Sequence, residues 1–372
     1  MASRWQRIDR HTRVRIVSHG RRKALGDPNT RTPRTVQTTL LADPGTNSWD
    51  TASGPGAALL LIQPDATLAH LSVDIAVRGT GHVFTRPCVF RARIEYRDHR
   101  RWDTSRDIIV TIDPPRAAGF TLELDFGTEV GGGTLTQWCR APWVNPATGA
   151  EGVIEGFGAS WTIGGINPDP RDVLTRLGPI ELQAVGFHES ALQQFWPNGS
   201  PKFGPPNGYG VMQIDNSPPP TSRQIWDWKA NVDDGVRRVS GAGGTYAAAK
   251  GFPSRVRTRL KDVTVPDFTD QELWMEAWQR YNGGWAGNTD PGQGAYWRWS
   301  TDQRRWIAHP PNSYAQAVAE IVERVKAGNP PLGWPANAKR RAVWPRVTQA
   351  TTAATMRRWT TTRPSEFRRT IE

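Results

Sequence analysis

Alternating hydrophobic and polar residues in the first half of the chain predict β-strands. The alternation is strict over residues 90–97 and 120–126 and recurs over residues 71–77. A period of two places every second side chain on the same face of a sheet, and glycine and proline residues separate these stretches as turns do. We therefore predict about five to eight half-buried antiparallel strands between residues 57 and 165, arranged as a β-sandwich.

In the second half of the chain the apolar residues no longer alternate with polar ones. They recur at the spacing that is typical of amphipathic helices. Residues 171–188 predict one helix. Its apolar face includes Leu182 and Val185 and continues to Glu189, because these positions follow one another at helical spacing. Residues 225–239 carry a second apolar stripe.

Two capping boxes predict where further helices begin. Thr269 pairs with Glu272, and Ser313 pairs with Gln316, in the Ser/Thr-x-x-Glu/Gln pattern that satisfies the first backbone N–H groups of a helix. Apolar residues follow each box at helical spacing, and a glycine is expected to end each helix.

These patterns predict an α+β multidomain protein. An irregular, basic N-terminal segment is expected over residues 1–50, an antiparallel β-sandwich over 51–166, a mainly α domain over 167–332 and a basic tail over 333–372. The glycine run at 131–133 is expected to form a turn. It is no phosphate-binding loop, because no Gly-Lys-Ser/Thr follows it.

The charge of the chain favours an anionic partner. The 47 Lys and Arg residues outnumber the 35 Asp and Glu residues, which gives a net charge of +12. Nucleic acid, an anionic membrane or an anionic cell wall would all attract such a protein, and charge alone does not choose among them. The sequence has neither an apolar signal-peptide core nor a stretch of membrane-spanning length, so we expect synthesis in the cytoplasm without a signal peptide.

The residue pattern disfavours several kinds of site. No two of the seven histidines have the helical spacing of zinc ligands, so we expect neither a metal nor another cofactor. No Gly-x-Ser-x-Gly motif supports a nucleophilic serine. Cys88 and Cys139 either pair, if the protein reaches an oxidising compartment, or stay free.

Glu189 is the strongest candidate for chemistry. A carboxyl group held against an apolar helix face loses hydration, which raises its pKa. A carboxylic acid that stays protonated near neutral pH can donate its proton to a glycosidic oxygen. The alternative is a glutamate at a helix end that simply faces solvent.

Three short segments follow one another in an order that resembles a known family. They are Glu189-Ser190, Asn207-Gly208-Tyr209-Gly210-Val211-Met212-Gln213-Ile214-Asp215 and Arg280-Tyr281-Asn282-Gly283-Gly284. Together they resemble the goose-type lysozyme and soluble lytic transglycosylase group, family 23 of the glycoside hydrolases. That family carries Glu-Ser, Gly-Leu-Met-Gln and Tyr-Asn-Ala-Gly on a compact α domain. The resemblance covers residues 180–327 and implies a lysozyme-like fold for the predicted α domain.

The resemblance also implies roles for individual residues. Glu189 matches the catalytic acid and base, and Tyr281 is similar to the tyrosine that forms a hydrogen bond near it. The glycines beside the Met-Gln pair are expected to let the backbone approach a sugar closely. The other residues that the resemblance places at the substrate are Ser190, Tyr209, Met212, Gln213 and Asn282.

Two reactions stay open for the β-1,4 bond between N-acetylmuramic acid and N-acetylglucosamine. Asp215 matches the aspartate proposed to position water in goose-type enzymes, which would favour hydrolysis. The acid that those enzymes carry shortly before the Asn-Gly pair is missing, since residues 203–206 read Phe-Gly-Pro-Pro. Without a well-placed base, the sugar's own 6-hydroxyl closes the ring. We therefore expect a lytic transglycosylase, with an Asp215-assisted muramidase as the alternative. Asp215 also fits a plain turn cap.

The expected partner is the glycan strand of peptidoglycan. A wall-cutting motif without a signal peptide predicts an antibacterial enzyme that reaches the periplasm or cell wall through dedicated secretion or phage-tail machinery, with an immunity protein in the producing cell. Two other classes of function were weighed. Nucleic-acid binding lacks a recognisable motif, and a non-catalytic glycan-binding or tail-associated structural protein would leave the glutamate unexplained.

Overall fold

The computed structural model places strands in the first half of the chain and helices in the second. Both kinds of element are present, as the prediction of an α+β protein requires. No described helix has both the length and the apolar character that crossing a membrane requires. The structure describes residues 6–7, 13–18, 35–46, 48–50, 59–62, 70–85, 87–95, 106–113, 117–125, 131–158, 160–204, 208–215, 219–261, 263–283, 290, 292–309 and 313–335.

A six-stranded sheet joins strands that are far apart in sequence. Its strands are, in spatial order, β1 (Gln6–Arg7), β2 (Arg13–Ser18), β10 (Gly119–Asp125), β6 (His70–Val77), β3 (Thr35–Asp43) and β4 (Ser48–Asp50). Neighbours pair antiparallel except β3 and β6, which run parallel.

Four of these strands lie within residues 1–50, so the prediction of an irregular N-terminal segment was wrong for its described part. Two of the basic residues that suggested a solvated segment form ion pairs within the sheet. Arg13 forms an ion pair with Asp125, and Arg15 forms one with Glu123, across the β2–β10 pair. Tertiary pairing with β10 therefore orders a strand whose sequence alone reads as a charged tail.

The second sheet is centred on a long strand. In order, it contains β5 (Leu59–Ile62), β13 (Trp161–Gly165), β11 (Gly133–Val144), β8 (Cys88–Glu95) and β9 (Arg106–Ile112), and β7 (Val83–Phe84) and β12 (Glu151–Phe157) also pair with β11. Because β5 and β13 run parallel, both sheets are mixed rather than antiparallel throughout. The described part of residues 57–165 holds nine strands, one more than the upper end of the prediction.

Both sheets contribute to one hydrophobic core. Val73 and Leu122 of the first sheet and Phe90 of the second are fully buried in it. β8 alternates between buried and half-buried residues along its whole length, so the period read from the sequence is confirmed there. Cys88 and Cys139 lie in the same core as free thiols, and burial raises the pKa of both.

Eight helices lie in the described residues of the second half. They are α1 (Pro170–Leu177), α2 (Ile180–Ser190), α3 (Ser222–Trp226), α4 (Trp228–Ser240), α5 (Thr245–Lys250), α6 (Phe252–Arg259), α7 (Asp270–Tyr281) and α8 (Tyr314–Lys326). Two hairpins accompany them, β14 (Phe203–Gly204) with β15 (Gly208–Tyr209), and β16 (Trp297–Ser300) with β17 (Arg305–Ala308).

The helix predicted over residues 171–188 is two helices, α1 and α2. Gly178 ends α1 with φ at +86°, a conformation that glycine adopts without strain. Pro179 then supplies no N–H and begins α2. The break turns α2 so that Leu182 and Val185 face the helical core while Glu189 stays half-buried at its edge.

Both predicted capping boxes are formed. Thr269 Oγ1 accepts the N–H of Glu272 at the start of α7, and Ser313 Oγ accepts the N–H of Gln316 at the start of α8. The two helices pack with α1, α2 and α4 around a second hydrophobic core, which includes Val232 and Val318.

Aromatic side chains of the second half pack closely on glycine residues of the first half. Trp226 of α3 lies against Gly131 and Gly132, and a Cβ at Gly132 would overlap the indole ring and lie 2.7 Å from the carbonyl oxygen of Ile163. Phe195 covers Gly165 of β13 in the same way. The glycine run that predicted a turn therefore forms the surface on which α3 packs.

The described residues up to Trp334 belong to one compact unit. Of the residues that follow, only Pro335 is described. The predicted basic tail therefore lies almost entirely outside the described residues.

Candidate active site

Glu189 lies in the last turn of α2, where the helix meets the start of α8. Its Oε1 accepts a hydrogen bond from the hydroxyl of Tyr314 at 2.6 Å. The ring of His188 packs edge-on against the ring of Tyr314, with 4.9 Å between the centroids. The tyrosine is thus held from two sides and fixes the orientation of the carboxyl group.

The surroundings of Glu189 favour its protonated form. Loss of hydration raises the pKa of this carboxyl group to about 7, and the negative charge of Asp215 acts in the same direction. The hydrogen bond from Tyr314 stabilises the carboxylate and acts against both. A glutamate with a pKa near neutrality can serve as a general acid and then as a general base.

The backbone around Glu189 is held in strained conformations. Ala191 and Leu192 follow α2 directly with φ values of +55° and +63°, and Gln213 has φ at +47°. Non-glycine residues rarely adopt such values, because the Cβ atom crowds the backbone. Surrounding contacts must therefore maintain this geometry.

Two buried amides maintain the loop at residues 208–215. Asn231 of α4 accepts the N–H of Met212 through Oδ1 at 2.8 Å and donates Nδ2 to the carbonyl of Tyr209 at 2.8 Å. Gln194 accepts the N–H of Val211 at 3.1 Å and donates to the carbonyl of Ile225 at 2.7 Å. Both side chains are fully buried, so the loop is fixed from beneath.

Tyr281 does not form its hydrogen bond with the glutamate. Its hydroxyl donates to the carbonyl oxygen of Met212 at 2.5 Å, and burial is the main cause that raises the pKa of its phenol. Tyr314, which the motifs did not include, is the tyrosine bonded to Glu189. Tyr281 thus forms a hydrogen bond near the glutamate, as expected, and anchors the loop, whereas Tyr314 contacts the carboxyl group itself.

Three predicted substrate contacts are buried instead. Tyr209 and Met212 are fully buried, and Ser190 is 3% exposed. Ser190 donates to the carbonyl of Val211 at 2.9 Å and so ties α2 to the loop. Met212 packs in the helical core against Gly235. These residues position the site from behind and do not line its cleft.

The glycines of the loop serve internal packing. A Cβ at Gly204 would overlap Oε1 of Gln213, and one at Gly208 would lie 2.7 Å from the same atom. Gly210 has φ at +73°, and a Cβ there would overlap the side-chain amide of Gln194. The backbone here approaches the protein's own amide side chains, and Gly204 and Gly208 also line the cleft in front of Glu189. That the glycines let a sugar approach closely stays a prediction.

A cleft of ≈ 860 Å³ opens in front of Glu189. Four of the predicted site residues line it together with Glu189, and they are Gln213, Asp215, Tyr281 and Asn282. Arg237, Arg238 and Arg280 also line it, as does the loop Gly241–Gly243. Arg280 opens the third sequence motif without an assigned role, and the motifs did not include Arg237 or Arg238.

Asp215 lines the cleft and forms an ion pair with Arg238. Its side chain is 57% exposed, and its Oδ1 lies 3.7 Å from Nη1 of Arg238. Arg238 is held in turn by Asp234, whose Oδ2 accepts its Nε at 2.8 Å. The turn-cap alternative for Asp215 involves residues 216–218, which lie outside the described residues.

A second carboxylate near the cleft is structural. Glu276 of α7 is fully buried and accepts the backbone N–H groups of Ala295, Tyr296 and Trp297 at 2.7–3.1 Å. Its Oε1 also lies 2.7 Å from Nη2 of Arg280. Glu276 thus fixes the start of the β16–β17 hairpin and the position of a cleft arginine.

Comparisons with known proteins name no relative. No protein-family model matches the chain, and no curated protein matches it. Within the part of the chain that the structure describes, no group of three or more His, Cys, Asp or Glu side chains could hold a metal ion. The functional assignment therefore depends on the motifs and on the geometry of the cleft.

Proposed function

We propose that the chain is a peptidoglycan-cleaving enzyme with Glu189 as its general acid and base. The observation that carries this proposal is the position of Glu189: its pKa is raised to about 7, Tyr314 orients it, and it lines a cleft of ≈ 860 Å³. The three motifs that resemble family 23 of the glycoside hydrolases support the same activity. Under this proposal the sheets form a β-sandwich beside a lysozyme-like α domain.

The reaction begins with protonated Glu189. It donates its proton to the oxygen of the bond between N-acetylmuramic acid and N-acetylglucosamine, and that bond breaks as positive charge develops at the anomeric carbon. The carboxylate that remains accepts the proton of the muramic acid's 6-hydroxyl. The hydroxyl oxygen then bonds to the anomeric carbon and gives a 1,6-anhydro product. Tyr314 holds the carboxyl group in place through both steps.

Hydrolysis is the second candidate, and Asp215 favours it. Asp215 lines the same cleft, is largely exposed, and lies near enough for its charge to raise the pKa of Glu189. A second carboxylate in this position can orient a water molecule toward the anomeric carbon. In that case the products carry reducing ends.

Mass spectrometry of fragments released from purified peptidoglycan tests the proposal. We expect anhydro-ended muropeptides from the wild type and none from Glu189→Gln, because the amide cannot donate a proton as an acid does. Reducing-end products from the wild type would select hydrolysis, and Asp215→Asn should then abolish them. Fragments in equal amounts from the wild type and Glu189→Gln would refute the assignment.

A wall-cleaving chain of this kind needs a route to its substrate. We propose delivery by secretion or phage-tail machinery to the periplasm or cell wall, with an immunity protein in the producing cell. A glycan-binding or tail-associated structural protein is the non-enzymatic alternative. It would bind peptidoglycan and release no fragments.

A further inference from the structure

Three arginines line the cleft, and two of them are committed to carboxylates of the protein. Arg280 is 7% exposed and lies 2.7 Å from buried Glu276. Arg238 is 17% exposed and lies between Asp234 and Asp215. Their guanidinium groups organise the wall of the cleft and have little surface left for a ligand.

Arg237 differs from both. Its side chain is 66% exposed, and its Nη2 contacts Asp234, a carboxylate that also binds Arg238. A guanidinium group has five N–H donors in a planar fork, and this contact uses one nitrogen of Arg237. Most of its donors are therefore directed away from Asp234.

Arg237 lines the same cleft as the proposed acid. It also lines a second hollow of ≈ 500 Å³ along α4, whose other charged lining residues are three basic and three acidic ones. A substrate in the first cavity with a branch that reaches the second would therefore meet Arg237.

We infer that Arg237 binds a free carboxylate of the substrate, carried by the muramic acid residue or by its stem peptide. This inference rests on the proposed function, which puts a glycan strand in the cleft. The glycan backbone is uncharged, whereas the stem peptide carries free carboxylates, and the lactyl group carries one wherever no peptide is attached to it. A planar guanidinium matches a carboxylate with two parallel hydrogen bonds, which the point charge of a lysine does not.

Binding to the inactive Glu189→Gln protein tests this contact without turnover. We would measure its affinity by calorimetry for soluble uncrosslinked peptidoglycan strands, with and without the additional change Arg237→Gln. Loss of a charge-assisted contact should weaken binding about tenfold or more. Arg237→Lys should recover only part of this affinity.

Strands whose carboxyl groups have been converted to neutral amides identify the group that is bound. On these strands Arg237→Gln should change the affinity little, because the partner of the arginine is gone. An equal loss on native and amidated strands, or no loss on either, would overturn the inference. Arg324→Gln removes a helical arginine that is 42% exposed and lies outside both cavities, and it should leave binding unchanged.

Strands treated with an amidase distinguish the two sources of carboxylate. An Arg237 effect on strands that carry a peptide at every muramic acid assigns the contact to the stem peptide. An effect seen only after the amidase has freed the lactyl carboxyl groups assigns it to the lactyl group. Fragment release by the otherwise wild-type chain is a separate measurement. If no fragments are released while the Arg237 effect on binding is present, the proposed cleavage is wrong, but the binding of a carboxylate by Arg237 is supported.

Discussion

At the scale of single residues, burial and two neighbouring residues set the protonation of Glu189. Desolvation and the charge of Asp215 raise the pKa of this group, and the Tyr314 hydrogen bond lowers it, which together give a value of about 7. A general acid works in its protonated form. The proposed activity should therefore be present below this pKa and be lost as pH rises through about 7.

The substitution Tyr314→Phe should raise the pH at which the proposed activity is lost. The phenol stabilises the carboxylate, so its removal raises the pKa of Glu189 further. The rate at the optimum should also fall, since the carboxyl group loses its orienting partner. A pH profile of kcat/KM on soluble peptidoglycan strands measures both effects.

Tyr281→Phe is the matched control for this prediction. It removes a hydroxyl that is bonded to Met212 rather than to Glu189. The pH at which the activity falls on the alkaline side of the profile, its alkaline limb, should be the same as in the wild type even if the rate changes. A Tyr314→Phe limb that is unmoved or shifted to lower pH would contradict the assigned hydrogen bond.

Glu276→Gln should destabilise the fold. The substitution removes the charge opposite Arg280, which is 7% exposed, and places an amide against three backbone N–H groups. Breaking a buried ion pair on one side costs about 3–5 kcal/mol. Chemical denaturation followed by circular dichroism measures the free energy of unfolding.

Glu320→Gln provides the comparison. Glu320 also pairs with an arginine four residues away, Arg324, but its side chain is 72% exposed and the distance is 3.9 Å. Exposed ion pairs contribute about 0–1 kcal/mol, so this substitution should change the free energy of unfolding very little. Equal effects of the two substitutions would mean that Glu276 is not buried in the way described.

At the scale of elements, α3 packs on the backbone just before the strand β11, where Gly131 and Gly132 have no side chain. We expect Gly132→Ala to lower the free energy of unfolding by about 1–3 kcal/mol, because the added methyl group overlaps Trp226 and the backbone at Ile163 cannot yield easily. Thermal and chemical unfolding of the purified variant measure this loss.

Gly156→Ala tests whether the effect is specific to the contact. Gly156 belongs to β12 in the same sheet, and a Cβ there would meet Trp49 at an ordinary 3.6 Å. This change should be neutral or slightly stabilising, since alanine costs less conformational entropy than glycine in a strand. A tolerated Gly132→Ala would show that α3 does not pack on the glycine pair.

At the scale of the whole molecule, charge is distributed unevenly along the chain. Residues 335–372 contain nine Lys or Arg and two Glu, so they carry +7 of the net charge of +12. A chain that ends at Trp334 retains the compact unit with the cleft. Its attraction to an anionic wall should be much weaker.

We expect the shortened chain to bind isolated cell walls about tenfold less tightly at low salt, with a smaller loss of binding as salt is added. Its cleavage of short soluble strands should be unchanged, because the cleft residues all precede Trp334. Co-sedimentation with cell walls over a salt series measures the first effect. Identical salt dependence of both chains would show that these charges do not contact the wall.

Local patterns in the sequence were sufficient for several elements of this protein. The period of two in β8, the capping boxes at Thr269 and Ser313, and the apolar face leading to Glu189 all arise from residues a few positions apart. Backbone hydrogen bonding and burial of one face act over that same short range. The general class of fold and the candidate acid could therefore be predicted.

Contacts between distant residues were decided only by the tertiary structure. Tyr314 forms a hydrogen bond with Glu189, which lies 125 positions earlier in the chain. Asn231 binds the loop that precedes Asn231 by about twenty residues, and β2 pairs with β10 more than a hundred residues later. A single sequence carries no periodic signal for such pairs, because they depend on how whole elements pack. For the same reason, the motif residues Ser190 and Met212 are buried supports of the site, and Arg237 faces its cleft.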